Sequence, residues 1–310
     1  MKITVILCTY NPNRSSFAEV ISSLKSQTLP FNLWEFIIID NNSDYPLLEW
    51  IDVSWHPNTS VVLEKQSGLS FARLKGVSLA AGELIVFVDD DNLLEEKYLE
   101  KSLAFYNNNP SVGSFGGKSL PIFETPPPDW FFETGINLGC QDLGNTPYIS
   151  NYSATDFKLK EYPQFAPIGT GMVIQKQAFL TYSKEVTNSE ARLALGRKGK
   201  SLTSGEDNDI ILTIVKHGYE IAYLPGLVVK HLIPKNRFSF DYLKKMAYES
   251  NRSWIKVLHF HGLNPWKPIP NFSLKLREIK AYVKEKAWKS KLNYVNWNGV
   301  RGKLKGLSEI

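Results

Sequence analysis

Short apolar runs alternate with amphipathic segments along the first third of the chain. Runs rich in β-branched residues predict buried strands, and apolar residues spaced three or four positions apart predict helices. The predicted strands span residues 3–8, 34–39, 60–64, 84–88 and 112–115, and the predicted helices span residues 16–27, 69–81 and 95–106. Such alternation is typical of βαβ units. We therefore predict an α/β fold with a doubly wound, mostly parallel sheet and helices on both faces.

Local signals predict where two of these helices begin and end. Ser16 and Glu19 have the spacing of an N-terminal capping box. Gly82 follows the helix at residues 69–81 and is its predicted C-terminal cap.

The alternation stops at residues 119–167, which are predicted to be irregular. Trp130 and Phe131 in this segment suit a surface on which a sugar stacks, or they pack onto the sheet. Residues 188–204 are polar and basic and are predicted to be mobile. Later strands are predicted at residues 172–174, 221–224 and 228–231, and later helices at residues 178–182, 207–217, 240–260 and 274–294.

The composition predicts a folded chain in a reducing compartment. With 43% hydrophobic and 22% charged residues, the chain can bury a core. No apolar run approaches the ~20 residues that a membrane-spanning helix needs. A strand is predicted to begin at Ile3, which leaves no room for a signal peptide. Cys8 and Cys140 are too few for a disulfide framework, so we expect a cytoplasmic protein.

Positive charge is concentrated near the C-terminus. Residues 267–305 contain eleven Lys or Arg and two Glu, which gives this segment a net charge of +9. Since the whole chain has a net charge of +5, the remaining residues have a net charge of −4. Apolar residues such as Leu276, Ile279 and Val283 lie among these lysines. The segment is predicted either to contact an anionic membrane at its cytoplasmic face or to be a solvated helical face packed on the body of the protein. Nucleic-acid binding is not expected, because no recognisable binding module accompanies the charge.

Three adjacent carboxylates, Asp89, Asp90 and Asp91, follow the apolar run at residues 84–88. Ligands of open α/β sheets bind beyond the carboxyl ends of the strands, so these side chains are predicted to face a crevice. Because adjacent carboxylates repel one another, their clustering favours a bound cation or a well-solvated turn.

Two further loops are predicted to share this crevice. Thr9, Tyr10 and Asn11 follow the first strand, and Asp40 follows the second. A pyrimidine base offers an N3–H donor between two carbonyl acceptors, so the Asp40 carboxylate can accept from N3–H while Tyr10 supplies an aromatic face. Asp40 is equally explained as a turn former, since Asp-Asn-Asn-Ser is ordinary turn sequence.

Six short motifs, in this order, resemble those of the family 2 glycosyltransferases, which have the GT-A fold. They are Ile6-Leu7-Cys8-Thr9-Tyr10-Asn11, Ile38-Ile39-Asp40-Asn41-Asn42-Ser43, Gly68-Leu69-Ser70-Phe71-Ala72-Arg73, Phe87-Val88-Asp89-Asp90-Asp91, Gly169-Thr170-Gly171-Met172 and Gly205-Glu206-Asp207. The resemblance implies transfer of a sugar from a nucleotide diphosphate donor, here a UDP-sugar, to a hydroxyl of a glycan or lipid-linked acceptor. It also implies inversion at the anomeric carbon, a manganese or magnesium ion, and a place in cell-surface polysaccharide or glycoconjugate synthesis.

The resemblance also implies a division of the chain and a role for each candidate residue. The nucleotide-sugar-binding half would span residues 1–120, the acceptor-binding and catalytic-base half residues 121–236, and a helical basic extension residues 237–310. Asp207 would be the catalytic base. The nucleotide sugar would be bound by Thr9, Tyr10, Asn11, Asp40, Arg73, Asp89 and Asp90, and the metal by Asp91, Asp89 and His231.

Several alternatives remain open from the residues alone. Asp207 and Asp209 form a second Asp-x-Asp that could rival the first as a metal site, or they could simply complement the dipole of a helix. Arg73 could be a solvated helix residue. A sugar-nucleotide pyrophosphorylase would need a Gly-rich loop after the first strand, and residues 9–13 contain no glycine. A non-catalytic sugar-nucleotide-binding scaffold is the third reading. The Gln-x-x-Arg-Trp signature of processive synthases is absent, which favours addition of single sugars.

Overall fold

The computed structural model describes residues 1–151, 159–199 and 201–310. Through the first 115 residues, strands and helices alternate as predicted, apart from one additional short strand at Asn92–Leu94. The strands are β1 (Ile3–Thr9), β2 (Trp34–Asp40), β3 (Thr59–Leu63), β4 (Leu84–Asp89), β5 (Asn92–Leu94), β6 (Val112–Phe123), β7 (Tyr148–Ile149), β8 (Val173–Gln175) and β9 (Glu220–Ile233). The helices are α1 (Arg14–Lys25), α2 (Leu69–Leu79), α3 (Tyr98–Asn108), α4 (Asp129–Phe132), α5 (Lys176–Val186), α6 (Glu190–Leu193), α7 (Glu206–Lys216), α8 (Phe240–Phe260), α9 (Leu274–Lys284) and α10 (Lys291–Leu307).

Within the described ranges, nine strands form one sheet in the order β3-β2-β1-β4-β8-β6-β9-β5, with β7 paired to β9. The predicted parallel pairing holds from β3 to β4 and again between β6 and β9. Strand β8 is antiparallel to both β4 and β6, and β9 is antiparallel to β5 and β7. The sheet is therefore parallel where the predicted nucleotide-binding loops leave it and mixed on the other side. The boundary predicted between residues 120 and 121 falls inside β6, and the division into three parts stays a prediction.

The central strands are buried on both faces, which explains their continuous apolar runs. Along β1, Ile3, Val5 and Leu7 face one core, which packs against α1 and α3. Ile6 and Cys8 face the other core, which packs against α2, α5 and α7. Helices thus cover both faces of the sheet, as predicted.

Two predicted helix signals are wrong. Helix α1 is capped by Asn13, whose side chain accepts hydrogen bonds from the backbone N–H groups of Ser15 and Ser16, so the Ser16–Glu19 capping box does not form. Helix α2 ends before Gly82, which instead lies against β1. A Cβ at position 82 would sit only 2.5 Å from the backbone nitrogen of Thr4, so this close approach requires glycine.

The irregular segment predicted at residues 119–167 is only partly irregular. Its start continues β6, and α4 and β7 lie within it, while residues 152–158 lie outside the described residues. Phe131 is buried against Phe123 and Phe238 and therefore packs rather than forming an open stacking surface, whereas Phe132 is 63% exposed. The segment at 188–204, predicted to be mobile, includes α6 and the buried Leu195, and residue 200 is outside the described residues.

The C-terminal region is helical, as predicted, but its helices are divided differently. The predicted helix at residues 274–294 is two helices, because the backbone turns between them through a left-handed Lys286 (φ 50°). Helix α10 packs closely along α8: a Cβ at Gly302 would lie 2.0 Å from the backbone oxygen of Tyr248. Among the described residues, no helix combines the length and apolar character that crossing a membrane requires.

Glu309 ties the end of the chain to α8 and provides a pH-dependent contribution to stability. Its carboxylate accepts from Arg252 at 2.7 and 2.8 Å and lies 2.8 Å from the Lys256 ammonium. Burial alone would raise the pKa of Glu309, but these bonds outweigh it and lower the pKa from 4.5 to about 2.

We expect Glu309→Gln to lower the free energy of unfolding by about 1 kcal/mol at neutral pH, because the charge network is partly exposed. The pKa of Glu309 is lower in the folded state than in the unfolded chain. The ionised carboxylate therefore stabilises the fold fully above pH 4.5, and this contribution is lost as the pH falls toward about 2. Denaturant unfolding of the wild type and the variant at neutral pH and near pH 3 checks this. A difference that grows on acidification would contradict the assignment.

Candidate active site

A cavity of about 660 Å³ opens at the carboxyl ends of β1 and β4. Most of the predicted site residues line it. They are Thr9, Tyr10, Arg73, Asp89, Asp90, Asp91, Asp207 and His231. Residues from both predicted halves of the chain therefore meet in one space.

The strand register explains why residues from distant loops meet there. Cys8 of β1 is level with Asp89 of β4, and Thr9 is level with Asp40 of β2. Asp90 and Asp91 then form the turn into β5. This short strand was not predicted. Because β5 pairs with β9, it sets Asn92 beside His231. This pairing brings the last carboxylate of the triple aspartate next to the predicted histidine ligand.

Asp91 lies at the centre of a charged group. Its Oδ2 is 2.8 Å from Arg237 Nη2 and 3.4 Å from His231 Nε2. Burial would raise the pKa of Asp91, but His231 and Arg237 outweigh it and lower the pKa. Burial would likewise lower the pKa of His231, yet the Asp91 contact, followed by the Cys140 thiol, raises it to about 9. Two positive groups therefore compensate the Asp91 carboxylate.

Sequence reasoning missed Arg237. It lies in a short helical turn after β9, and only its position six residues beyond His231 could have suggested a role. Its Nη1 is 3.4 Å from His231 Nε2, so its guanidinium faces the same side of Asp91 as the imidazole.

Asp90 is held differently from Asp91. It accepts a short hydrogen bond from the Thr9 hydroxyl, which links the ends of β4 and β1. Burial and the neighbouring Asp91 carboxylate raise the pKa of Asp90, although the Thr9 bond opposes this shift. The raised pKa favours the neutral form of Asp90, and this form reduces the repulsion within the triple aspartate.

Arg73 is a buried residue and not a solvated helix arginine. It projects from α2 between two carboxylates, 3.6 Å from Glu206 Oε1 and 3.9 Å from Asp89 Oδ1, and lies over the Phe87 ring. Burial raises the pKa of Glu206 to about 7. The Arg73 charge opposes this shift, and the nearby Asp207 charge adds to it. Arg73 thus connects the triple aspartate to the acidic start of α7.

Asp207 lies in the first turn of α7 and faces the cavity. Its Oδ2 accepts from the Gly169 backbone N–H at 3.1 Å, and its Oδ1 accepts from the Asn208 N–H at 3.1 Å. Close approach of the backbone matters here, because a Cβ at position 169 would lie 3.3 Å from Arg73 Nη2 and 3.5 Å from the Asp207 carboxylate. The two N–H groups hold the carboxylate in a fixed orientation.

Asp209 points away from the cavity, so it does not form a rival metal site with Asp207. It is fully buried and accepts from Arg192 Nε at 2.9 Å. His261 Nε2 lies 2.6 Å from its other oxygen. This network joins α6, α7 and the end of α8 and anchors the helix that carries Asp207.

Two predicted residues do not line the main cavity. Asp40 is buried and accepts from the Ser43 backbone N–H at 2.9 Å, which fits its turn-forming alternative. Asn11 has a left-handed backbone (φ 49°) and donates from its side chain to Asp44 at 3.0 Å. It lines a neighbouring groove of about 300 Å³. The uracil contact of Asp40 stays a prediction. Asn41, the next residue of the loop that was predicted to share the crevice, does line the main cavity.

Comparisons with known proteins identify the family of this chain. The sequence model for Glycosyl transferase family 2 matches residues 4–180. A glucosyl-dolichyl phosphate glucuronosyltransferase from Haloferax volcanii is 26% identical over 250 residues, which cover 78% of this chain and 73% of the relative. An O-antigen chain rhamnosyltransferase, RfbN, from Salmonella typhimurium is 23% identical over 86% of this chain and 74% of its own.

The predicted fold has solved counterparts. Residues 1–349 of S. aureus TarS in complex with UDP match all of this chain with a TM-score of 0.55 and 15% identity, over 91% of the TarS chain. The same part of TarS in complex with UDP-GlcNAc matches with a TM-score of 0.54. This chain covers 55% of the longer TarS chain. The GT-A type α/β fold is thereby confirmed.

Proposed function

Since the chain belongs to glycosyl transferase family 2 and is therefore a glycosyltransferase, we propose that it transfers a sugar from a UDP-sugar to a hydroxyl of a glycan or lipid-linked acceptor. The transfer inverts the anomeric carbon, depends on manganese or magnesium, and serves synthesis of a cell-surface polysaccharide or glycoconjugate. Family membership decides against the pyrophosphorylase and scaffold alternatives. Support for the donor comes from the TarS complexes with UDP and UDP-GlcNAc, and support for the acceptor class from the names of the two relatives.

One observation carries the proposal: a single cavity holds two separate acidic groups. Asp91 and its partners lie at the end of β4, and Asp207 lies at the start of α7. Inverting transfer needs both, because one group must act at the leaving diphosphate while another accepts the proton of the acceptor hydroxyl. Arg73 separates the two groups by pairing with Asp89 on one side and Glu206 on the other.

Asp207 is the proposed general base. Its orientation by Gly169 and Asn208 leaves the carboxylate at the cavity wall, where an acceptor hydroxyl can donate to it. As the hydroxyl oxygen attacks the anomeric carbon, Asp207 takes its proton and the bond to the diphosphate oxygen breaks. Attack from the face opposite the leaving group inverts the configuration.

The donor groups around Asp91 suit a hard divalent ion. The Asp91 carboxylate and the His231 imidazole face one another at 3.4 Å, and manganese would accept both as ligands once the imidazole has released its proton. Among the described residues, no three His, Cys, Asp or Glu side chains form a complete metal site, so diphosphate oxygens and water would supply further ligands. A bound ion would neutralise charge on the leaving diphosphate. Arg237, 2.8 Å from Asp91, adds a fixed positive charge beside the same position.

We expect UDP to bind about tenfold more tightly than GDP, because guanine does not offer an N3–H between two carbonyl acceptors. Removing manganese with EDTA should weaken UDP binding. Calorimetric titration of both nucleotides, with and without manganese, tests these points. Asp40→Asn should reduce the preference for UDP. Asp52→Asn is the matched control, because the Asp52 carboxylate also accepts from a backbone N–H, that of Ser54 at 2.9 Å, but lines neither the cavity nor the neighbouring groove. Equal affinities for UDP and GDP would overturn the pyrimidine assignment, and insensitivity to EDTA would overturn the metal assignment.

A further inference from the structure

Helix α9 presents a row of apolar side chains to solvent. Leu276, Ile279 and Val283 recur three and four residues apart and therefore lie on one face of the helix. They are 58, 62 and 58% exposed, and Phe272 before the helix and Trp288 after it are 91 and 56% exposed. An exposed apolar patch with this continuity marks a binding surface.

Basic side chains border this apolar row. At 100° per residue, Lys280 and Lys284 lie on one side of the row and Lys275 lies on the other. All three are exposed. The acidic residue of the helix is turned elsewhere, because Glu278 pairs with Arg301 of α10 at 3.3 Å. The exposed face of α9 is therefore apolar at its centre and positively charged at its margins.

The opposite face of α9 is fixed to the rest of the protein. Ala281 is buried, and the Trp297 indole of α10 donates to the backbone oxygen of Glu278 at 3.0 Å. The Tyr282 and Trp297 rings pack edge to face with their centroids 5.0 Å apart. Since α10 packs along α8, the apolar row is presented by a folded support.

We propose that α9 binds the surface of an anionic lipid bilayer, with its axis parallel to the surface. An apolar stripe inserts to the depth of the headgroups when a helix lies in this way, and lysines at its margins reach back to anionic headgroups. Trp288 and Phe272 lie at the two ends of the row, and tryptophan in particular is favoured at the level of the headgroups. Charge complementarity selects an anionic surface over a neutral one.

This inference stands apart from the proposed function, because the bilayer contact uses no residue of the cavity and needs no nucleotide. It would place the enzyme where a lipid-linked acceptor is available. An occupant of a different kind, a second copy of this chain, would bring the lysine margins of two helices together, and like charges disfavour that arrangement.

Vesicle co-sedimentation of the full chain tests the proposal. We expect binding to phosphatidylcholine vesicles containing about a third phosphatidylglycerol, weak binding to phosphatidylcholine alone, and a loss of binding at high salt. Replacing all three apolar residues (Leu276→Ser, Ile279→Ser and Val283→Ser) should weaken partitioning at least about a hundredfold. Lys280→Gln with Lys284→Gln should weaken it about tenfold, and only on anionic vesicles.

Matched controls keep the test specific. Leu48, Leu63 and Leu79 are also exposed, but they lie outside the C-terminal helices, so replacing these three by serine should leave vesicle binding unchanged. Lys97→Gln with Lys216→Gln is the corresponding charge control. Binding that ignores anionic lipid, or that the α9 variants retain, overturns the proposal. It is also overturned if sedimentation velocity finds a dimer that the triple α9 variant abolishes.

Discussion

Asp207→Asn is expected to lower the turnover number about 10²–10⁴-fold, the usual cost of losing a positioned general base. Asparagine keeps the size of the side chain and can still accept from the Gly169 N–H, which now donates to Asp207 at 3.1 Å. What it cannot do is take the proton of the acceptor hydroxyl. Affinities for UDP and manganese should stay nearly unchanged, because the group that we propose to hold the diphosphate is centred on Asp91. Steady-state kinetics with calorimetric titration of UDP measures both quantities.

Asp241→Asn is the matched control for this variant. Asp241 also lies in the first turn of a helix, α8, and its side chain is exposed and paired with Lys244. The same change there removes a favourable helix-dipole charge without touching the cavity, so activity should be preserved. If Asp207→Asn stays fully active, the base lies elsewhere. Glu206 is then the next candidate, because Asp209 is buried against Arg192 and His261 and cannot reach an acceptor.

The parts of the fold that could be predicted are those whose signal is local. Strand β4 is apolar over five consecutive positions and β1 and β2 over four, because both faces are buried, and each strand was predicted within about two residues. Strand β5 was missed because Asn92–Leu94 is too short to show a period and is defined only by pairing with β9. The break before α10 was missed because the lysines and aromatic residues around Lys286 continue a helical pattern through it.

The same distinction applies to the candidate site. Asp91 and Asp207 could be identified from motifs that occupy three to six consecutive residues, and the structure brings both to one cavity. The role of Asp209 could not be identified, because His261, one of its partners, is 52 residues away along the chain. Arg237 was missed for a similar reason. A single arginine in a short helical turn forms no sequence pattern, and only its contact with Asp91 indicates a role.

Asp91→Asn should affect binding as well as turnover, which separates it from Asp207→Asn. We expect manganese affinity to fall at least about a hundredfold. Loss of a residue that only supports a metal ligand costs about 10–100-fold, and here the proposed carboxylate ligand itself is removed. UDP measured with manganese should weaken in parallel. Without manganese the variant should bind UDP no worse than the wild type. This is because the Arg237 guanidinium, which contacts Asp91 at 2.8 Å in the wild type, is free in the variant to contact the negatively charged diphosphate.

Titrating UDP against both proteins, in manganese and in EDTA, checks this crossover. Asp142→Asn is the matched control, because Asp142 also pairs with a basic side chain, Lys118 at 3.2 Å, but does not line the cavity. If Asp91→Asn keeps its manganese dependence while Asp207→Asn loses it, the roles of the two acidic groups are exchanged. If Asp91→Asn binds UDP poorly even in EDTA, Asp91 supports the site through Arg237 and His231, and its role is structural rather than that of a metal ligand.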